Sequence, residues 1–173
     1  ANGDLTAVRS GITGRNYGIG NTTITSRGKI SAQWIASTGI LSYHLGNDLT
    51  ITASDSIEAE IFGIEATNYG VGKSSIVARG DITVGSRGAW GVRLDHKSAG
   101  SASINTYGKI STQTTSGSGD GAAISAKNAG GESLAIYADG ELDGFQHGIY
   151  ASSDSGSLTI TKTENGPITA QNG

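Results

Sequence analysis

This sequence predicts an all-β fold, a parallel β-helix (three-sided β-solenoid) of about six coils, on three observations. First, the segment Gly11-Ile12-Thr13-Gly14-Arg15-Asn16-Tyr17-Gly18-Ile19-Gly20 returns as Gly63-Ile64-Glu65-Ala66-Thr67-Asn68-Tyr69-Gly70-Val71-Gly72. Second, weaker copies begin at Gly39, Gly91, Ala123 and Gly148, so units of 24 to 32 residues follow one another. Third, the apolar residues inside each unit fall in i, i+2 pairs, the period of a strand, with no helical stripe.

Each unit carries three such pairs. The first strand set reads Ile12/Gly14, Ile40/Ser42, Ile64/Ala66, Val92/Leu94, Ile124/Ala126 and Ile149/Ala151. The second reads Thr22/Ile24, Leu49/Ile51, Ser74/Ile76, Ala102/Ile104, Leu134/Ile136 and Leu158/Ile160. The third reads Leu5/Ala7, Ile30/Ala32, Ile57/Ala59, Ile82/Val84, Ile110/Thr112, Leu142/Gly144 and Ile168/Ala170. Each pair points inward and the residue between points out.

The spacings support one register. From first to second set the key aliphatic moves 11 or 12 residues; from second to third it moves 6, or 8 at Asn165-Gly166-Pro167. From the third set to the next coil it moves between 7 and 14, so one corner varies while two are rigid. Gly3, Gly28, Gly80, Gly108, Gly140 and Gly166 mark the tight corner, with Asp55 in one coil, and suggest a bend with positive φ. Stacking should set Asp4 over Lys29, Asp81 and Glu141 on either side of Lys109, and Glu65 beside Arg93. At the long corner Asn16, His44, Asn68, His96, Asn128 and Ser153 should form a polar ladder that satisfies backbone groups. His44 and His96 then lie two coils apart, about 10 Å, which suits ladder duty and not a metal site.

Composition narrows the function classes. The chain of 173 residues has 28 Gly, one Pro, no Cys and no Met, and a net charge of −3. Without a Lys/Arg cluster this is no nucleic-acid footprint, and no apolar run is long enough to span a membrane as a helix. Without disulfides or thiolate metal sites, stability must come from coil stacking. Residues 1–173 read as a single solenoid segment excised from a longer β-helix, with head-to-tail self-association through open coil ends as the other reading.

At family level the pattern Gly-Ile-x-Ala, Gly-x-Leu-Thr-Ile, Gly-x-Ile-x-Ala resembles the passenger domains of autotransporters, the type V secretion proteins of Gram-negative bacteria. Its clearest copy is Gly148-Ile149-Tyr150-Ala151, then Gly156-Ser157-Leu158-Thr159-Ile160 and Ile168-Thr169-Ala170. The resemblance implies a β-helical passenger carried to the cell surface by a C-terminal membrane barrel.

Catalytic signals are sparse. Glu58, Glu60 and Glu65 are near one another in sequence, but a lyase or glycosidase needs its acids gathered in one groove. Ser118 lies in Gly117-Ser118-Gly119-Asp120-Gly121, without the strand-borne elbow of a nucleophile, and Asp120 lacks the tandem repeats of a calcium-binding β-roll. Outward Thr pairs such as Thr23/Thr25 and Thr50/Thr52 resemble ice-binding columns, but the column breaks at Ser75/Val77. The aromatic residues carry more. Trp34, Phe62, Trp90, Phe145 and His147 fall in the variable corner, the one free to diversify, and Trp is enriched at binding hot spots. Their bland role would be to fold back over small core residues, while Tyr17, Tyr43 and Tyr69 belong to the opposite corner. The expectation is a secreted or surface-displayed passenger, without a cofactor, acting as an adhesin or host-receptor-binding virulence factor. Its partner would be a host cell-surface protein or glycan. The alternatives are a structural spacer and a carbohydrate-active enzyme on the same fold.

Overall fold

The computed structural model describes residues 1–85, 89–113 and 121–170. The corner that holds Ser118 and Asp120 lies outside them. The described residues form three parallel sheets and no helix. The first sheet stacks β2 (Ser10–Asn16), β5 (Thr38–His44), β8 (Phe62–Asn68), β11 (Trp90–His96), β14 (Ala122–Asn128) and β17 (His147–Ser153). The second stacks β3 (Thr22–Ser26), β6 (Leu49–Ala53), β9 (Ser74–Ala78), β12 (Ala102–Thr106), β15 (Ser133–Ala138) and β18 (Ser157–Lys162). The third stacks β1 (Leu5–Ala7), β4 (Ile30–Ala32), β7 (Ile57–Ala59), β10 (Ile82–Val84), β13 (Ile110–Thr112), β16 (Leu142–Gly144) and β19 (Ile168–Ala170). A coil is one strand of each sheet in the order first, second, third, so β2 opens coil one and β17 opens coil six.

The register is the one the apolar pairs predict. Ile12, Ile40, Ile64, Val92, Ile124 and Ile149 stand in one column. Ile24, Ile51, Ile76, Ile104, Ile136 and Ile160 stand in the second. Ile30, Ile57, Ile82 and Ile110 are at most 1% exposed in the third. Burying one such side chain is worth about 1.5–3 kcal/mol, whereas an exposed ion pair is worth about 0–1 kcal/mol. The core columns therefore set the register and the charges follow it. In the last coil Leu158, Ile160 and Ile168 are 42–48% exposed, because a coil covers them on one side only.

The glycine columns have a different cause from the one the sequence suggests. Among the described residues the positive-φ glycines are Gly156 and Gly166, so the tight corner does not need a left-handed residue in each coil. What it needs is close approach. A Cβ on Gly108 would lie 2.5 Å from the carbonyl carbon of Gly80, and one on Gly80 would lie 2.3 Å from that of Asp55. Stacked corners press backbone against backbone, and a side chain there would hold the coils apart. Gly166, with φ of 91°, is the exception and absorbs the two extra residues of the last corner.

The charge columns are in register, but their bonds are divided differently. Glu65 and Arg93 are paired at 3.3 Å, and Lys109 reaches Glu141 at 2.9 Å. The Asp81 carboxylate instead accepts the Lys109 backbone N–H at 2.8 Å, and Asp4 does the same for Lys29 at 3.0 Å. The Lys29 ammonium turns the other way, to Glu58. An aspartate carboxylate at the tight corner is too short to meet the next ammonium and close enough to cap the next N–H.

Candidate functional site

The outer face of the first sheet gathers most of the chemistry. Phe62, Trp90 and His147 open β8, β11 and β17, so they belong to ladder-paired strands and not to a free corner. They share one column with Ala122: Phe62, Trp90, Ala122, His147. Beside it runs a second outward column, Glu65, Arg93, Ser125, Tyr150.

The two columns interlock. The Phe62 and Trp90 rings are stacked, 5.2 Å between centroids and 9° from parallel. The Arg93 guanidinium lies 5.7 Å from the Phe62 ring and 5.4 Å from the Trp90 ring, nearly equidistant, so it flanks both rings and leans toward Glu65. Burial raises the Glu65 carboxyl pKa, and the Arg93 charge opposes that rise without cancelling it. At coil six, His147 and Tyr150 meet at 5.4 Å, tilted by 37°.

Between these aromatic groups the side chains shrink. Ala122 is fully buried, which closes the base of the ring column. Beside it Ser125 forms the floor of an open cleft of about 390 Å³, walled by Trp90, Arg93, His147 and Tyr150. The volume is within the range of small-molecule sites. A second cleft of about 430 Å³ opens on the same face over coils one to three, lined by Arg15, Tyr17, Leu41, Tyr43 and Glu65. Tyr17, Tyr43 and Tyr69 form their own ladder at 5.7 and 5.5 Å, ended by Lys97, whose ammonium lies 4.4 Å from the Tyr69 ring.

The remaining predicted residues separate. Phe145 is 5% exposed, and its N–H donates to Thr112 Oγ1 at 3.0 Å. It is a core residue and not part of a binding corner. The reason is local: Gly121 has no side chain, and the Phe145 Cβ fills that space, 3.3 Å from where a Cβ would stand. Trp34 is 61% exposed on a turn closed by the Ser37 N–H on the Trp34 carbonyl, with Ile35 beside it at 84%. Ala36 in that turn takes a φ of 65°, a conformation an L-residue adopts at some strain. Thus Trp34 stands apart on a turn, and Phe62, Trp90 and His147 come together with Arg93, Ser125 and Tyr150.

The polar ladder holds the corner beneath this face. Asn68 Nδ2 donates to Ser74 Oγ at 3.0 Å, Ser74 Oγ meets His96 Nδ1 at 2.8 Å, and His96 Nε2 meets the Gly100 carbonyl at 2.8 Å. A carbonyl only accepts, so Nε2 carries the proton and Nδ1 accepts from the serine. His44 makes the equivalent bond to Thr22 at 2.9 Å. The acids named as catalytic candidates divide as well: Glu58 is on the third sheet, paired with Lys29, and Glu65 is on the first, paired with Arg93.

Arg93 is visible in the sequence as a ladder partner, whereas Ser125 and Tyr150 are not singled out by type. Their signal is columnar: Leu41, Glu65, Arg93, Ser125 and Tyr150 make an outward row in which one small residue interrupts large ones. Comparison with family models, with curated proteins and with solved structures finds no match to this chain.

Proposed function

We propose that this solenoid is the binding part of a secreted or surface-displayed protein, an adhesin that engages a host cell-surface protein or glycan through the outer face of its first sheet. The observation that carries this reading is the cleft walled by Trp90, Arg93, His147 and Tyr150, set on rigid strands. Aromatic and arginine side chains fixed by stacking lose little entropy on binding, and they are the residue types that dominate interface energetics. A scaffold of stacked coils also lets outward residues change without disturbing the core, which suits recognition. The resemblance to autotransporter passengers supports the surface location. The competing spacer reading draws on the regular Tyr17-Tyr43-Tyr69 ladder, whose ring contacts run from coil to coil and stiffen the stack.

The test is binding of the labelled chain to cultured animal cells, compared with the Trp90→Ala and Trp34→Ala variants, each with its thermal melt. The expected result is saturable binding that Trp90→Ala weakens at least tenfold while the variant remains folded. Absence of cell binding, or binding indifferent to Trp90, would favour the spacer.

A further inference from the structure

We infer that the notch over Ser125 holds a single uncharged hexopyranose unit of a glycan, stacked on the free face of Trp90. The inference rests on the binding reading above and names the ligand class. The Phe62 and Trp90 rings are almost parallel and one coil apart, so their stack runs along the solenoid axis. One face of Trp90 is therefore covered by Phe62, and the other is turned toward the level of coil five. Arg93 does not stand beyond that second face: its near-equal distances to the two ring centroids place the guanidinium alongside the stack, between the two levels.

Across the notch stand His147 and Tyr150, two strand steps from Trp90 and Arg93. Two steps measure about 10 Å between backbones. A ring inserted midway stands about 5 Å from each wall, within the 4.5–7 Å span of ring contacts. The occupant thus sits at the level of coil five, where Ala122 and Ser125 supply no large side chain to the two columns.

The lining chooses among flat occupants. Ser125 and Tyr150 hydroxyls, the His147 ring nitrogens and the Arg93 N–H groups surround the notch, so hydrogen-bonding groups line its rim and its floor. A pyranose matches both parts: its C–H face lies on Trp90, and its hydroxyls meet these groups. An aromatic side chain of a protein partner would match the Trp90 face and leave the polar rim without partners, which is costly on desolvation. Charge argues for a neutral sugar. Among the described residues, Arg93 is paired with Glu65 at 3.3 Å, Lys97 with Asp95 at 3.2 Å and Lys127 with Asp154 at 3.8 Å, so these three cations near the notch are already matched.

The experiment uses the chain with Trp34→Phe, which leaves Trp90 as its one tryptophan reporter. Methyl glucoside, methyl galactoside, methyl mannoside and N-acetylglucosamine are titrated at millimolar concentration, beside sialic acid and sulfated galactose. Tryptophan fluorescence and amide NMR shifts are followed. Expected are saturable shifts at Trp90, Ser125, His147 and Tyr150 for at least one neutral sugar, weaker for the acidic ones. Ser125→Phe, which fills the notch with a ring that fits an outward β column, should lower affinity at least tenfold. Thr13→Phe, in the same column four coils away, should leave it unchanged. No neutral sugar binding, a preference for the acidic sugars, or binding that survives Ser125→Phe in a folded variant would overturn the inference. Cell binding that Trp90→Ala abolishes but that survives enzymatic removal of cell-surface glycans would overturn the sugar and retain the binding face. Loss of cell binding together with intact sugar binding would do the reverse.

Discussion

Ala123 stands at the level of Leu142 where each of the other five coils sets a glycine against an isoleucine. A Cβ on Gly11, Gly39, Gly63, Gly91 or Gly148 would lie 2.0–2.4 Å from the Cγ2 of Ile30, Ile57, Ile82, Ile110 or Ile168. Leucine branches one carbon later and has no Cγ2, so the space that isoleucine fills is free for the alanine methyl. The exception in the glycine column and the exception in the isoleucine column are one packing solution.

That relationship predicts a double-mutant cycle. Leu142→Ile alone should destabilise the chain by about 1–3 kcal/mol through overpacking against Ala123. Ala123→Gly in the same chain should restore most of the loss. Gly63→Ala, which meets Ile82 Cγ2 at 2.3 Å and the Gly91 carbonyl oxygen at 2.5 Å, should lower stability by at least as much. Urea unfolding of the parent chain, Leu142→Ile, Ala123→Gly and the double variant measures the coupling, and additive effects would dissociate the two columns.

The core column sets a second expectation. Ile76 is fully buried between Ile51 and Ile104. Ile76→Asp should abolish cooperative folding, because an unpaired carboxylate there costs several kcal/mol. Val77→Asp, one residue along and facing outward, should fold. Circular dichroism and a thermal melt distinguish them, and a folded Ile76→Asp would mean that the interior admits water.

His96 predicts an acid-sensitive step. Burial holds its pKa below the usual 6.5, and the bond to the Gly100 carbonyl opposes that only in part. The folded state thus binds the proton less readily than the unfolded chain. Its stabilising contribution is complete above about pH 6.5 and declines as pH falls from there through the folded pKa. His96→Asn should fold, since Asn occupies this column at 16, 68 and 128, and should flatten that part of the profile. Melting temperatures from pH 7.5 to 5 decide it; an unchanged slope would locate the acid response elsewhere.

Glu65 has the opposite sign. Its raised pKa means that the protonated form fits the folded chain better, so this contribution is complete below pH 4.5 and is lost as pH rises through the folded pKa. Glu65→Gln should therefore change stability at pH 7 by less than about 1 kcal/mol in either direction, the scale of a partly exposed ion pair. A larger loss would show that the Arg93 pair outweighs the burial of the carboxylate.

The stacked rings are open to direct measurement. Phe62→Leu and Trp90→Leu should couple by about 0.5–1.5 kcal/mol, the value of an aromatic pair beyond its burial. Trp34→Ala, on its exposed turn, should move the melting point little. A large effect of Trp34→Ala would mean that the indole packs back on the coil after all.

How much of this was legible depended on how far each signal reached along the chain. Ile64 and Val92 announce the same column because each sits in a period-2 pair at a fixed distance from the next, and the aspartate and lysine columns follow from that. The tight-corner glycines were legible as corners, but their cause was not, since the contact that excludes a Cβ at Gly108 comes from Gly80, a coil away. The site was legible only as a set of aromatic residues. Phe145 and Trp34 share a residue class and a corner in the sequence, yet one is 5% and the other 61% exposed.

The sequence by itself determined the number of strands per coil, their parallel order and their register. The physical reason is that a slip by one residue turns each inward Ile of a strand to solvent, a penalty no surface contact can offset. The tertiary structure alone decided which outward side chains meet. Whether Trp90 stacks on Phe62, whether Arg93 leans toward Glu65, and whether Ser125 leaves a notch before Tyr150 depend on neighbours 25 to 32 residues away in the chain and one coil away in space. Those contacts are worth about 1 kcal/mol each, too little to direct folding and enough to shape the outer face of the first sheet.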